Sequence, residues 1–133
     1  KITTKIQKIL KKINKKTKIK KILVLGITYK KNSDDIRESP CLKITNNLSK
    51  FYSSKLKVCD PHANFERFKQ IKHLDSIKLS YLYKKVKKKE FDIIIILNAH
   101  NIFNLKKITS KCKVVIDLVN SCNNIRHNNI IKL

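Results

Sequence analysis

Lys20-Lys21-Ile22-Leu23-Val24-Leu25-Gly26 and Phe91-Asp92-Ile93-Ile94-Ile95-Ile96-Leu97 decide the fold of this chain. Each is a short continuous apolar run. Neither alternates apolar with polar, as a strand with one wet face would, and the flanking residues suit strands buried on both faces of a parallel sheet. Gly26, which ends the first run, is the only glycine in the protein.

Working outward, the polar loop Thr28 to Asp35 leads to Ser39-Pro40, an N-cap with proline at the first helical position. The helix that follows is expected to carry Leu42, Ile44 or Thr45, Leu48 and Phe51 on or near its buried side. Leu56-Lys57-Val58-Cys59 reads as a second strand, stopped by Asp60-Pro61. Helical stretches are expected over Phe65 to Lys72, over 81–88 and around Leu105 to Thr109. Lys113-Val114-Val115-Ile116-Asp117 gives a fourth strand, and the Asn-rich residues after Cys122 are expected to fray. At the other end, Ile2, Ile6, Ile9, Leu10 and Ile13 recur at helical spacing with lysines between them. This amphipathic helix is expected to pack on a neighbouring domain. Strands alternating with helices make βαβ units, hence an α/β fold: an open parallel sheet of about four or more strands flanked by helices. Ligands of such sheets bind beyond the carboxyl ends of the strands. The loops after Leu25, Cys59, Leu97 and Asp117 are therefore the candidates for function.

The 133 residues make one domain, with 32 basic against nine acidic side chains and a net charge of +23. Only Arg37, Arg67 and Arg126 among the basic residues are arginine. Evolved nucleic-acid sites favour the bidentate arginine fork, so an excess of lysine points to compositional drift and to nonspecific polyanion binding that salt weakens. No apolar run approaches the roughly 20 residues of a membrane span, and no signal peptide is legible; a cytoplasmic location is the expectation. Cys41, Cys59, Cys112 and Cys122 show neither CxxC nor zinc-finger spacing. They are read as small apolar residues, without a metal or catalytic role.

The loop Gly26-Ile27-Thr28-Tyr29-Lys30-Lys31-Asn32-Ser33-Asp34-Asp35-Ile36-Arg37-Glu38-Ser39-Pro40 carries the chemistry. Its single glycine excludes both the GxGxxG fingerprint and a P-loop. Instead it sets Lys30, Lys31 and Arg37 ahead of a capped helix N-terminus, which suits an anion. Asp34, Asp35 and Glu38 could equally neutralise those cations, and physics alone leaves the two readings open.

The stretch VLGITYKKNSDDIRESP is similar to the signature that opens the C-terminal domain of UDP-glucose and UDP-N-acetylhexosamine 6-dehydrogenases. Val58-Cys59-Asp60-Pro61, Ile95-Ile96-Leu97-Asn98-Ala99-His100-Asn101-Ile102-Phe103 and Val114-Val115-Ile116-Asp117 resemble later segments of that domain, in the same order. The resemblance covers residues 19 to 120 and implies a Rossmann-like UDP-sugar-binding domain over 19–122. It further implies a linker helix from a missing central domain over 1–18 and an Asn-rich tail over 123–133. In the family, NAD-dependent enzymes oxidise the sugar C6 hydroxyl to a carboxylate through a cysteine thioester. The NAD-binding and cysteine-bearing domains precede this one, and the parent is expected to be a homo-oligomer.

By the same resemblance, Tyr29 and Lys30 contact the UDP-sugar, and Arg37 reaches across the domain interface to NAD. Two departures stand out. Leu118-Val119-Asn120 replaces the arginine that commonly follows the last-strand Asp, and none of the four cysteines lies where the catalytic thiol belongs. The chain alone is therefore expected to be inactive. His100 and Asp60 are read mainly as turn residues. The competing readings are a basic nucleic-acid-binding α/β module and an inert remnant of the dehydrogenase.

Overall fold

The computed structural model describes residues 1–123, 125 and 129–133. In chain order the elements are α1 (Ile2–Lys16), β1 (Ile22–Leu25), α2 (Pro40–Tyr52), β2 (Leu56–Cys59), α3 (Leu79–Lys87), β3 (Ile93–Ile96), α4 (Leu105–Thr109), β4 (Val114–Asp117) and β5 (Ile130–Lys132). The strands form one parallel sheet of five in the order β2-β1-β3-β4-β5. Leu25 pairs with Cys59 and Ile96, and Ile96 with Asp117, so four strands end level along one edge. The chain leaves β1 towards β2 on one side and returns to β3 on the other. The crevice for a ligand therefore opens between the loops after β1 and β3.

The unbroken apolar runs have the expected cause. Every residue of β1 and β3 is fully buried. Ile22, Val24, Ile93 and Ile95 face a core shared with α1 and α2, whereas Leu23, Leu25, Ile94 and Ile96 face one shared with α3 and α4. Burying a side chain of this size contributes about 1.5–3 kcal/mol, so these two strands anchor both layers.

Helix α2 starts where the sequence signals it: the Ser39 hydroxyl accepts the Leu42 N–H at 3.3 Å, and Pro40 stands in the first turn. Leu42, Thr45 and Leu48 are buried as expected, but Phe51 is 68% exposed. The next inward position falls instead on Tyr52, which packs against the core.

Three further expectations are corrected. Helix α1 docks on this domain's own core: Ile6 and Leu10 are fully buried in the layer that holds β1 and α2. Asn14 then accepts the Ile19 N–H at 2.8 Å and ties the helix end to the chain entering β1. The stretch Phe65 to Lys72 holds no α-helix, only turns and a short 3-10 segment at Lys69–Ile71. Its apolar residues Phe65, Phe68, Ile71 and Leu74 recur every third position, which fits 3-10 geometry better than a 3.6-residue period. Of the tail expected to fray, residues 124 and 126–128 lie outside the described residues, whereas Ile130 to Lys132 pair with Val115 to Asp117 as the fifth strand.

Candidate functional site

The loop after β1 is built around one close approach. Gly26 has φ +82°, and a Cβ there would meet the Asn98 carbonyl oxygen at 2.3 Å. Only glycine lets the exits of β1 and β3 come this near. Immediately after it, the Ile27 and Thr28 N–H groups donate to Oδ2 of Asp60 at 2.7 and 3.1 Å. Oδ1 of the same carboxylate accepts the His62 and Ala63 N–H groups at 2.9 and 3.2 Å. The turn therefore does not fit a dinucleotide pyrophosphate, because its first amides already hold a protein carboxylate.

Asp60 is buried, which alone would raise its pKa. The hydrogen bond from His100 and those from backbone N–H groups outweigh this and hold the carboxyl below its usual range. His100 Nε2 lies 3.1 Å from Asp60 Oδ2, while Nδ1 accepts the Asn32 N–H at 2.8 Å. A ring nitrogen that accepts an amide hydrogen does so through its lone pair, which leaves Nε2 as the donor facing Asp60. Both residues exceed the turn role expected of them. His100 bonds across 40 and 68 positions of sequence, to Asp60 and Asn32.

Tyr29, Lys30 and Arg37 are brought together. With Ser33, Asp35 and Glu38 they line one open cavity of about 630 Å³ beyond β1. Tyr29 is 47% exposed and the Lys30 ammonium lies 6.0 Å from its ring centroid. Arg37 extends into solvent and grips Asp35 with two bonds, Nε to Oδ1 at 3.0 Å and Nη2 to Oδ2 at 3.2 Å. That guanidinium holds the Asp35 carboxyl below its ordinary value. Glu38 has φ +52°, a strained conformation for a non-glycine residue, immediately before the Ser39 cap. The Ser39 hydroxyl donates to the Ile27 carbonyl at 2.6 Å, so the start of α2 is tied to the start of the loop.

Tyr29 also borders a second cavity of about 480 Å³, in the crevice between β1 and β3, lined further by Cys41, Asn98, Ala99, Val119 and Asn120. The position after Asp117 offers no cation: Leu118 packs against the core, and Val119 and Asn120 face the crevice. Asp117 is consumed in its own turn, accepting the Val119 and Cys122 N–H groups and the Ser121 hydroxyl. Val119 and Asn120 were marked in the sequence only as the place where the arginine is missing; Asn98 had no role assigned, and only its position just past the end of β3 could have marked it.

The thiols are quiet. Burial pushes Cys59 up to about 12 and Cys112 up to about 11, and raises Cys41 and Cys122 as well. Neutral thiols are poor nucleophiles. Among the described residues no group of acidic, histidine and cysteine side chains has the arrangement of a metal site. No described helix is long and apolar enough to cross a membrane.

Comparison with known proteins agrees with this architecture. The chain is 32% identical over 111 residues to the UDP-N-acetyl-D-mannosamine dehydrogenase of Methanococcus vannielii, covering 77% of this chain and 23% of that one. The fold matches the UDP-N-acetyl-mannosamine dehydrogenase of Staphylococcus aureus with a TM-score of 0.65 at 24% identity, over 98% of this chain and 29% of the other. It also matches a ternary complex of GDP-mannose dehydrogenase from Pseudomonas aeruginosa with a TM-score of 0.68 at 20% identity, over 98% and 31%. The chain thus spans under a third of the length of each. The family model for the UDP binding domain of UDP-glucose/GDP-mannose dehydrogenases matches residues 23–124, so this chain belongs to that family and comprises that domain.

Proposed function

We propose that the chain is the nucleotide-sugar-binding part of an NAD-dependent dehydrogenase that oxidises the C6 hydroxyl of a UDP-sugar to a carboxylate. The observation that carries this reading is the common cavity of Tyr29, Lys30 and Arg37 at the carboxyl end of β1, in a chain of this family. Lys30 supplies a point charge for the pyrophosphate, and Tyr29 an apolar face beside it. Arg37, whose fork already holds a carboxylate, exchanges Asp35 for an anionic group of NAD bound on another domain. The chain's own β1 turn holds Asp60 and takes no dinucleotide. Residues 1–18 link to a central domain that carries the catalytic thiol and the oligomer contacts, residues 19–122 bind the substrate, and residues 123–133 are the tail. On this reading the chain alone turns nothing over.

Calorimetric titration of the 133-residue chain with UDP, UDP-glucose and UDP-N-acetylmannosamine tests the proposal. Binding that Lys30→Ala weakens about tenfold, the cost of one charge-assisted contact, is the expected result. A folded chain that binds none of the three at millimolar concentration overturns it, as does NAD reduction by the chain alone.

A further inference from the structure

We propose that His100 is a positioning residue for the nucleotide-sugar loop, acting through the Asn32 N–H to hold Tyr29 and Lys30 in place. The inference rests on the binding role proposed for those two residues and adds the element that fixes them.

The segment Ile27 to Asn32 is held at both ends by one pair of buried side chains. Asp60 takes its first two N–H groups, at Ile27 and Thr28. His100 takes its last, at Asn32, on Nδ1. The two holders are joined by the Nε2–H of His100, which faces Asp60, and both side chains are fully buried. Tyr29 and Lys30 stand midway between these ties. Asn32 is fastened a second time, its side-chain oxygen accepting the Asn101 N–H at 2.8 Å, and its φ of +62° is one that asparagine tolerates. Thr28 closes the frame: its hydroxyl donates to the Lys30 carbonyl at 3.2 Å and accepts from the Asn98 side-chain amide at 3.2 Å.

The imidazole accepts through Nδ1 and donates through Nε2, which faces Asp60 Oδ2 at 3.1 Å and also lies 3.2 Å from the Thr28 hydroxyl, so the roles separate by substitution. Asparagine at 100 keeps an acceptor where Nδ1 stood; glutamine keeps a donor near Nε2. The remaining sides of the ring are enclosed by other side chains. The titratable groups facing it are Asp60 and His62, whose ring meets His100 edge-on at 4.5 Å; Phe103 covers another side.

The experiment compares His100→Asn with His100→Gln in the whole chain, measuring UDP-glucose affinity, thermal midpoint and amide hydrogen exchange. The expected result is that His100→Asn stays within about threefold of the parent affinity while His100→Gln loses about tenfold, as the loop loses the acceptor that fixes the part-buried Asn32 N–H. Exchange over residues 29–35 should rise about tenfold in His100→Gln alone, with the strand amides unchanged. Equal affinities, or a loss that follows only the thermal midpoint in both variants, would overturn the inference. If the parent chain binds no UDP-sugar, the proposed function fails, and loop exchange still decides the positioning role: equal exchange in the two variants sinks it.

Discussion

The Asn98 carbonyl oxygen occupies the space where a side chain on Gly26 would begin, 2.3 Å from an added Cβ. The neighbouring atom is backbone, held by the pairing of Asn98 N–H with the Leu25 carbonyl at 3.1 Å, so it cannot swing aside. A positive φ adds to the strain. Gly26→Ala is expected to destabilise the chain by about 3 kcal/mol or to displace the β1 loop. Urea unfolding checks it; a midpoint equal to the parent's would show that the two strand exits are not in fixed contact.

The strands β1 and β3 were legible because burial on both faces leaves an unbroken apolar run, and Ser39-Pro40 was legible because capping is local chemistry. The rest depended on tertiary partners. Nothing in the spacing of Asp60 and His100 announces a bond between residues 40 apart. Strand β5 has three residues, and only the edge of β4 makes them a strand. Phe51 and Tyr52 are adjacent and aromatic, and the pitch of α2 alone chooses which one is buried. At the candidate site, Tyr29, Lys30 and Arg37 were marked by resemblance and Asn120 by the arginine missing beside it, while the role of Asn98 depends on the level ends of the strands.

Helix α1 is part of this domain's stability. Ile6 and Leu10 are completely buried against α2 and the sheet. Truncating either to alanine is expected to cost about 2–5 kcal/mol, whereas Lys8→Ala on the exposed face should stay within about 0.5 kcal/mol. Chemical denaturation separates these outcomes. A chain indifferent to Ile6→Ala would mean that the helix is only loosely attached.

The raised thiols give a kinetic prediction. Cys59 and Cys112, pushed up to about 12 and about 11 by burial, hold almost no thiolate at pH 8. Iodoacetamide should alkylate them more than about a hundredfold more slowly in the folded chain than in guanidinium, since only the thiolate reacts. Mass mapping of the labelled peptides reads this directly. Rapid labelling of Cys59 in the folded state would contradict its burial in the core layer that also holds Leu82 and Val86.

Asp60 makes stability depend on acid in a defined direction. Its folded pKa lies below the ordinary 3.8, because the His100 contact and backbone N–H donors outweigh the effect of burial. A depressed carboxyl contributes stability that is fully present above its unfolded pKa and disappears as pH falls through the folded value. The parent chain is therefore expected to lose stability below about pH 5, as the unfolded state takes up its proton first. Asp60→Asn removes that proton-linked part. It also leaves the four backbone donors at Ile27, Thr28, His62 and Ala63 sharing one carbonyl oxygen. The gap in unfolding free energy between parent and variant should be level from pH 7 to about pH 5 and narrow from there towards pH 3. A gap that stays constant over that range would mean that Asp60 is not held as a carboxylate, and that the loop carrying Tyr29 and Lys30 is fixed by some other means.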